Sequence, residues 1–340
     1  MSSFLSRRAL GLGGLLLSLV LALAACGGSV SRLDPFVAER MIVFGDELSL
    51  LDDGLSTGNA SQYGLNAVSS ADSATISCND NGGGRRRLWV QALADYYGLV
   101  FAPCNPSGLR ASQLKAFMRA GYGATVASVA LQIKGFREDL YGGFGAQDMV
   151  TVLAGLHDVM QVYGDNDSYP NDAAKLAEVR ARGEQLGALV NGIIDEGPRV
   201  IVSQILDVGL TPYAQSLGNA EAKRLTALTN AFNDGLRLTV RNDGTKIGLV
   251  EMDTIARSAH QNSAYNHVDL ACDEDHRSNP EEALTGADQG GSLLGCTTQT
   301  LTSDGAATTH LWADALHPNV YMISYTLGLA AVSRARNNPF

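Results

Sequence analysis

Short apolar runs separated by helical spacing set the pattern of this chain. Met41-Ile42-Val43-Phe44 stops at Gly45-Asp46, and Val150-Thr151-Val152-Leu153 stops at Gly155. Val200-Ile201-Val202, inside Arg199 to Ile205, and the stretch Lys246 to Met252 give two more runs of strand length. Between them, Leu88 to Tyr97 reads as a helix. Leu176, Val179, Leu186, Leu189 and Ile193 recur at helical spacing until Gly197-Pro198 ends the helix. Leu225, Leu228, Phe232 and Leu236 mark the next helix, and Val320 to Arg334 closes the chain as another. Two stretches lack periodicity: residues 55–84, rich in Ser, Asn, Asp and Gly, and residues 257–309. Both read as long polar surface excursions. Strands alternating with helices predict an α/β protein: one three-layer α/β/α domain over 41–336, built on a parallel sheet. In such sheets reactive residues sit beyond the carboxyl ends of the strands.

Composition narrows the partners. With 45% hydrophobic and 18% charged residues, the chain has enough apolar material for a packed core, which excludes general disorder. The formal net charge of −10 argues against a nucleic-acid partner, because phosphate binding needs a basic face.

The amino terminus reads as an address. Arg7 and Arg8 precede the uncharged stretch Ala9 to Ala25, which ends Leu23-Ala24-Ala25-Cys26. A positive region, an apolar segment and small residues before a cut describe a secretory signal over 1–25. The stretch holds three glycines and is short for a membrane span. Cys26 at the cut resembles a bacterial lipobox, which implies a lipid anchor on Cys26 and a tether over 26–40. Gly27 after it favours the outer membrane within the cell envelope. Cys78, Cys104, Cys272 and Cys296 remain. Four cysteines permit three pairings, and Cys78–Cys104 with Cys272–Cys296 closes the smallest loops. Oxidising conditions outside the cytoplasm favour such bridges.

The residues at the strand ends carry the candidate chemistry. Gly45-Asp46-Glu47-Leu48-Ser49 follows the first strand, Gly155-Leu156-His157-Asp158 the second, and Asp314-Ala315-Leu316-His317-Pro318 lies near the carboxyl terminus. In this order and spacing they resemble the blocks of the GDSL or SGNH hydrolases, a family of esterases and lipases, over about Met41 to Arg334. The resemblance implies a flavodoxin-like sheet and a small-molecule, lipid or glycan ester as ligand. It also implies a monomer that needs no cofactor. It places the catalytic acid and base at Asp314 and His317. The oxyanion glycine falls at Gly123, with Gly121 beside it as a second candidate.

Two positions depart from the family pattern. The nucleophilic serine falls at Glu47, and the oxyanion-hole asparagine falls at His157. Acyl transfer needs a hydroxyl whose proton a histidine removes, and donors aimed at the developing oxyanion. A glutamate has no hydroxyl, and its charge repels an oxyanion. Ser49, two residues on, lies on a different face of the turn and is a poor substitute. Three readings stay open. The chain is a catalytically silent module with a retained ligand pocket. Or Glu47 acts as carboxylate nucleophile, or as base for water with His317. Or Glu47, His157 and His317 hold zinc or iron, with Asp314 behind one imidazole.

Other residues read as structural or solvated. Asp46 and Asp158 support the turns, and His260, His267, His276 and His310 sit in polar stretches. Arg85-Arg86-Arg87 reads as solvated surface. Asp273-Glu274-Asp275 lacks the spaced ligands of a calcium loop.

Overall fold

The apolar runs become the centre of a five-stranded parallel sheet in a computed structural model of the chain. It describes residues 36–52, 61–66, 87–139, 142–286, 292–319 and 326–337. The strands are β1 (Arg40–Gly45), β2 (Ala116–Met118), β3 (Asp148–Leu153), β4 (Arg199–Ser203) and β5 (Ile247–Val250). Their order in the sheet is β2-β1-β3-β4-β5, with every neighbouring pair parallel. That is the flavodoxin-like order, whose switch point lies between β1 and β3. β1 and β3 are buried along nearly their whole length, which is why both read as continuous apolar runs rather than alternating ones.

Helices cover the sheet. α1 (Trp89–Tyr96) packs against the last helix, Gly328–Asn337, and that helix also meets β5. α4 (Asp172–Asp195) packs with both α2 (Val126–Glu138) and α5 (Asn219–Thr239), α2 also meets β1 and α4 meets β4, while α3 (Leu156–Gly164) leads out of β3. Right-handed crossovers place helices on opposite faces where the strand order reverses, giving the α/β/α layering expected. Leu225, Leu228, Phe232 and Leu236 do form the buried stripe of α5, and Val179, Leu186 and Ile193 that of α4.

Several boundaries differ from the sequence reading. Among the described residues, packing extends ahead of Met41: Phe36 is buried beneath the Arg199 guanidinium, 4.1 Å from its ring centroid, and meets Tyr97 edge-on. The fourth run ends at Val250, because Met252 opens helix α6 (Met252–His260). β2 and α2 had no place in the sequence reading.

The two excursions also need correction. Within the first, Tyr63, Leu65 and Asn66 are buried, at 0–1% exposure. The second holds the end of α6, strand β6 (Asn266–Leu270) and helix α7 (Pro280–Thr285), and β6 pairs in parallel with strand β7 (His310–Trp312), which follows it. His310 is accordingly buried on β7, not solvated in a loop. Cys272 and Cys296 form a disulfide, and Cys104 is disulfide-bonded too. The expected signal segment, Cys26, Cys78, Arg85 and Arg86 lie outside the described residues. Among the described residues, no helix is long and apolar enough to cross a membrane.

Gly45 closes β1 at the switch point with φ +141°. A Cβ there would sit 2.0 Å from the Leu153 carbonyl oxygen, on the strand next door. Only glycine allows both the backbone angle and the approach. Gly45→Ala is therefore expected to lower the unfolding free energy by about 2–4 kcal/mol, measured by urea denaturation.

Candidate functional site

The chain leaves β1 through Gly45 and turns at once into a single helical turn, Glu47–Ser49. Asp46 caps it: its Oδ1 accepts from the Leu48 N–H at 3.1 Å. The Asp46 N–H bonds the Leu153 carbonyl at 3.0 Å, so the turn is fastened to the end of β3. Gln132 of α2 grips Gly45 from the side, accepting from its N–H and donating to its carbonyl, both at 2.9 Å. Together these bonds hold Glu47 just beyond the sheet.

Glu47 then gathers three donors from three other segments. Its Oε1 lies 2.6 Å from His157 Nε2, in the first turn of α3, and 2.9 Å from His317 Nε2. Its Oε2 accepts from the Gly123 N–H at 3.0 Å. Glu47, His157, Asp314 and His317 are all 0–1% exposed. Among the glycine candidates, Gly121 is already spent: its N–H bonds the Gly45 carbonyl at 3.0 Å. Ser49 is equally committed, accepting from the Trp89 indole N–H at 3.1 Å.

The second imidazole nitrogen of His317 faces Asp314. Nδ1 lies 3.0 Å from both Asp314 oxygens. The loop builds this pair by itself: Asp314 Oδ1 accepts from the N–H groups of Leu316 (2.9 Å) and His317 (2.6 Å), and Ala313 N–H bonds the His317 carbonyl. Two carboxylates flank one ring, so both ring nitrogens carry protons. Burial alone would lower the His317 pKa, but the charges and hydrogen bonds of Asp314 and Glu47 push it up to about 10. Burial likewise raises Glu47, yet His157 and His317 together hold its carboxyl below the usual range. Asp314 is also lowered, with His317 and Ser278 overcoming burial.

Asp46 goes the other way. Burial, then the neighbouring Glu47 charge, push it well above its ordinary value. Its Oδ2 has no hydrogen-bond partner among the described residues. Asp158 is raised by burial despite accepting from the Val126 N–H at 2.9 Å and facing Arg182. Both residues act in the scaffold around the centre.

Two contributors were missed in the sequence. The Ser278 hydroxyl donates to Asp314 Oδ2, and its N–H donates to the same oxygen at 3.1 Å. Tyr63 lays its ring edge-on to His317, with centroids 5.1 Å apart, and packs on Tyr122 at 5.2 Å. Burial, then the charges of Glu47 and Asp314, raise the Tyr63 pKa well above normal. The strap carrying Tyr63 is stitched to the disulfide segment, where Asn66 N–H bonds the Cys296 carbonyl at 2.7 Å. Each lies in a stretch with no periodicity and no motif, so only a lone serine or tyrosine among polar residues marked it.

The arrangement decides between chemistries. A metal needs the lone pairs of both Nε2 atoms. Here both nitrogens aim at one carboxylate oxygen at hydrogen-bond distance, which requires each to carry a proton. Among the described residues no group of three or more His, Cys, Asp or Glu side chains is placed to hold a metal ion. Glu47, His157 and His317 as arranged do not fit zinc or iron. For acyl transfer, Gly123 and His157 supply N–H groups of the kind that stabilise an oxyanion, and His317 is backed by Asp314. All three donors are occupied by the Glu47 carboxylate.

No family model matches the chain, and no curated protein matches it. Among solved structures, the chain is similar to an α/β-hydrolase enzyme from the Lake Arreo metagenome in Spain. That similarity has 15% identity and TM-score 0.42, covering 88% of this chain and 96% of that one. It is similar to a member of the lipolytic G-D-S-L family from Veillonella parvula, at 12% identity and TM-score 0.37, covering 73% and 93%. It is also similar to the acetylxylan esterase Axe2 of Geobacillus stearothermophilus, at 14% identity and TM-score 0.38, covering 89% and 95%.

The charge cluster makes stability depend on pH with a definite sign. His317 binds its proton more tightly when folded, so its contribution is complete below the ordinary value of 6.5 and is lost as pH rises towards about 10. Glu47 is depressed, so its contribution is present above 4.5 and lost on acidification. The melting temperature should fall between pH 6.5 and 10, and nuclear magnetic resonance should show the His317 ring titrating near the top of that window. Glu47→Gln removes one of the two flanking charges and should move that titration to lower pH.

Proposed function

We propose that this chain is an SGNH-hydrolase-like lipoprotein of the cell envelope whose reaction centre is filled by its own Glu47, so that it binds ester ligands without hydrolysing them by the serine route. The observation that carries this reading is the threefold engagement of the Glu47 carboxylate by His317 Nε2, His157 Nε2 and Gly123 N–H. In a serine hydrolase the first group takes the nucleophile's proton and the other two hold the oxyanion. Glu47 stands in the nucleophile position and satisfies the oxyanion donors with a permanent negative charge. An incoming carbonyl finds neither a hydroxyl to attack it nor a free donor to polarise it.

The carboxylate-nucleophile alternative is disfavoured by the same bonds. Both Glu47 oxygens are tied to donors, and attack on an ester would yield a reactive anhydride. Acting as a base for water is disfavoured because its pKa is held low and its side chain is buried. The partner class is a small-molecule, lipid or glycan ester. Lipidation of Cys26 would hold the protein at a membrane, with the outer membrane favoured by Gly27. The net charge of −10 disfavours nucleic acid.

The wild-type protein should not hydrolyse p-nitrophenyl acetate above the buffer rate. Glu47→Ser should gain turnover and react with a fluorophosphonate at position 47, recovering part of the ~10⁶ factor that a missing nucleophile costs. Adding His317→Ala should remove the gain. Wild-type turnover that disappears in Glu47→Ala would instead make Glu47 the working group and overturn the proposal.

The anchor has its own test. Full-length protein expressed in a bacterium fed an alkyne-tagged fatty acid should carry the label and sediment with membranes. Cys26→Ser should lose the label and be released.

A further inference from the structure

The described chain enters the sheet at its amino-terminal edge. Phe36 and Ala38 are buried ahead of β1, while Val37 between them is 63% exposed. A series of ring contacts runs outward from Phe36. Phe36 meets Tyr97 edge-on at 5.7 Å, and Tyr97 meets Tyr96 at 4.8 Å. The Arg336 guanidinium, at the end of the last helix, lies 6.0 Å from the Tyr96 ring centroid. Arg199, the first residue of β4, covers the Phe36 ring. Tyr96 is 41% exposed, and Arg336 is exposed as well.

This edge differs in charge from the chain as a whole, whose formal net charge is −10. Asp95, Asp195 and Glu196 are each taken up by an arginine, respectively Arg87, Arg241 and Arg137. Arg199 and Arg336 make no ion pair among the described residues, while Glu39, next to Ala38, is an exposed acid without one. The edge therefore escapes the acidic balance that would repel the rest of the chain from an anionic surface. An exposed tyrosine beside an apolar side chain and an arginine suits a membrane interface. The ring settles at headgroup level, its hydroxyl stays wet, and the guanidinium meets phosphate.

Chain length limits how an anchored protein can stand. Cys26 and Phe36 are ten residues apart in sequence, a stretch that reaches at most ~36 Å when fully extended. The 24-residue α4, which returns the chain from the carboxyl-end side of the sheet to the start of β4, is itself ~36 Å long. Setting the carboxyl ends of the strands on the bilayer would need a fully extended tether running the length of α4. We propose, resting on the reading of Cys26 as the anchor, that the edge formed by Val37, Tyr96, Arg199 and Arg336 docks on the headgroups of the bilayer that holds the acyl chains. The Glu47 centre lies beyond the opposite end of β1 and so faces away from that bilayer. Its ligand is then a glycan or small-molecule ester of the aqueous compartment, not a lipid of the anchoring membrane.

The test places full-length protein, purified from membranes with its acyl chains, in vesicles of phosphatidylethanolamine and phosphatidylglycerol. The vesicles also hold phosphatidylcholine with a nitroxide quencher on its headgroup. A fluorophore is attached at Asn337→Cys or at Leu217→Cys. Asn337 is exposed and adjoins Arg336, yet is far from Cys26 in sequence, so the tether alone does not bring it to the surface. Leu217, 40% exposed, precedes α5 in the segment whose Tyr213 N–H bonds the Ala315 carbonyl, at the opposite edge. The probe at 337 should lose most of its emission to the quencher, and the probe at 217 should keep its own. Tyr96→Ser with Arg336→Glu, both exposed positions, should keep the melting temperature and the sedimentation with vesicles but restore the emission at 337. Equal quenching at the two positions, no quenching at 337 in acylated protein, or quenching at 337 unchanged in the double variant would each overturn the docking alone. Protein without an acyl chain on Cys26 would overturn the anchor and the docking together, and the fatty-acid label tells the two failures apart.

Discussion

A single buried carboxylate ties together four segments that are far apart in the sequence. Glu47 enters from the end of β1, His157 from the start of α3, Gly123 from the turn before α2, and His317 from the loop after β7. Without its negative charge, three buried N–H donors would lose their shared acceptor, an arrangement costlier than a lost hydrogen bond. Removing one partner of a buried pair of this kind typically costs about 3–5 kcal/mol. The closed packing around the centre therefore depends on the Glu47 carboxylate, the group that occupies all three donors.

Neighbouring carboxylates show how environment assigns roles. Asp46 and Glu47 are adjacent in sequence and equally buried, yet their pKa values move apart. Glu47 meets two imidazoles and an amide. Asp46 has the Leu48 N–H and, on its far oxygen, no partner among the described residues. Burial dominates where donors are few, and pairing dominates where they are many. The same contrast explains why Asp46 serves the turn while Glu47 commands the centre.

Legibility of the fold followed the length and continuity of each element. β1, β3 and β4 announced themselves because strands buried on both faces are apolar throughout. β2 did not, since three residues between Lys115 and Arg119 give no pattern to read. The buried positions of α2, Val126, Val129, Ile133 and Phe136, do repeat at helical spacing and could have been found. In the centre, Glu47, His157, Asp314 and His317 stood out through a resemblance of ordered motifs, and the structure brings all four together with Gly123. Tyr63 and Ser278 were invisible for a physical reason. They reach the centre through tertiary paths from polar stretches, and their side chains alone give no hint of where the backbone carries them.

The Cys272–Cys296 bridge couples these late arrivals to one another. Cys272 hydrogen-bonds through its N–H to the Ala313 carbonyl, beside Asp314, and Cys296 accepts from Asn66, next but two to Tyr63. One covalent link thus joins the wall that holds the acid–base pair to the strap that covers it. Two segments with little secondary structure of their own acquire a fixed spacing from sulfur chemistry as well as from the core that Tyr63, Leu65 and Leu293 join. The cover over His317 is then fastened by that sulfur bond, and reduced protein would lack the fastening that sets its geometry.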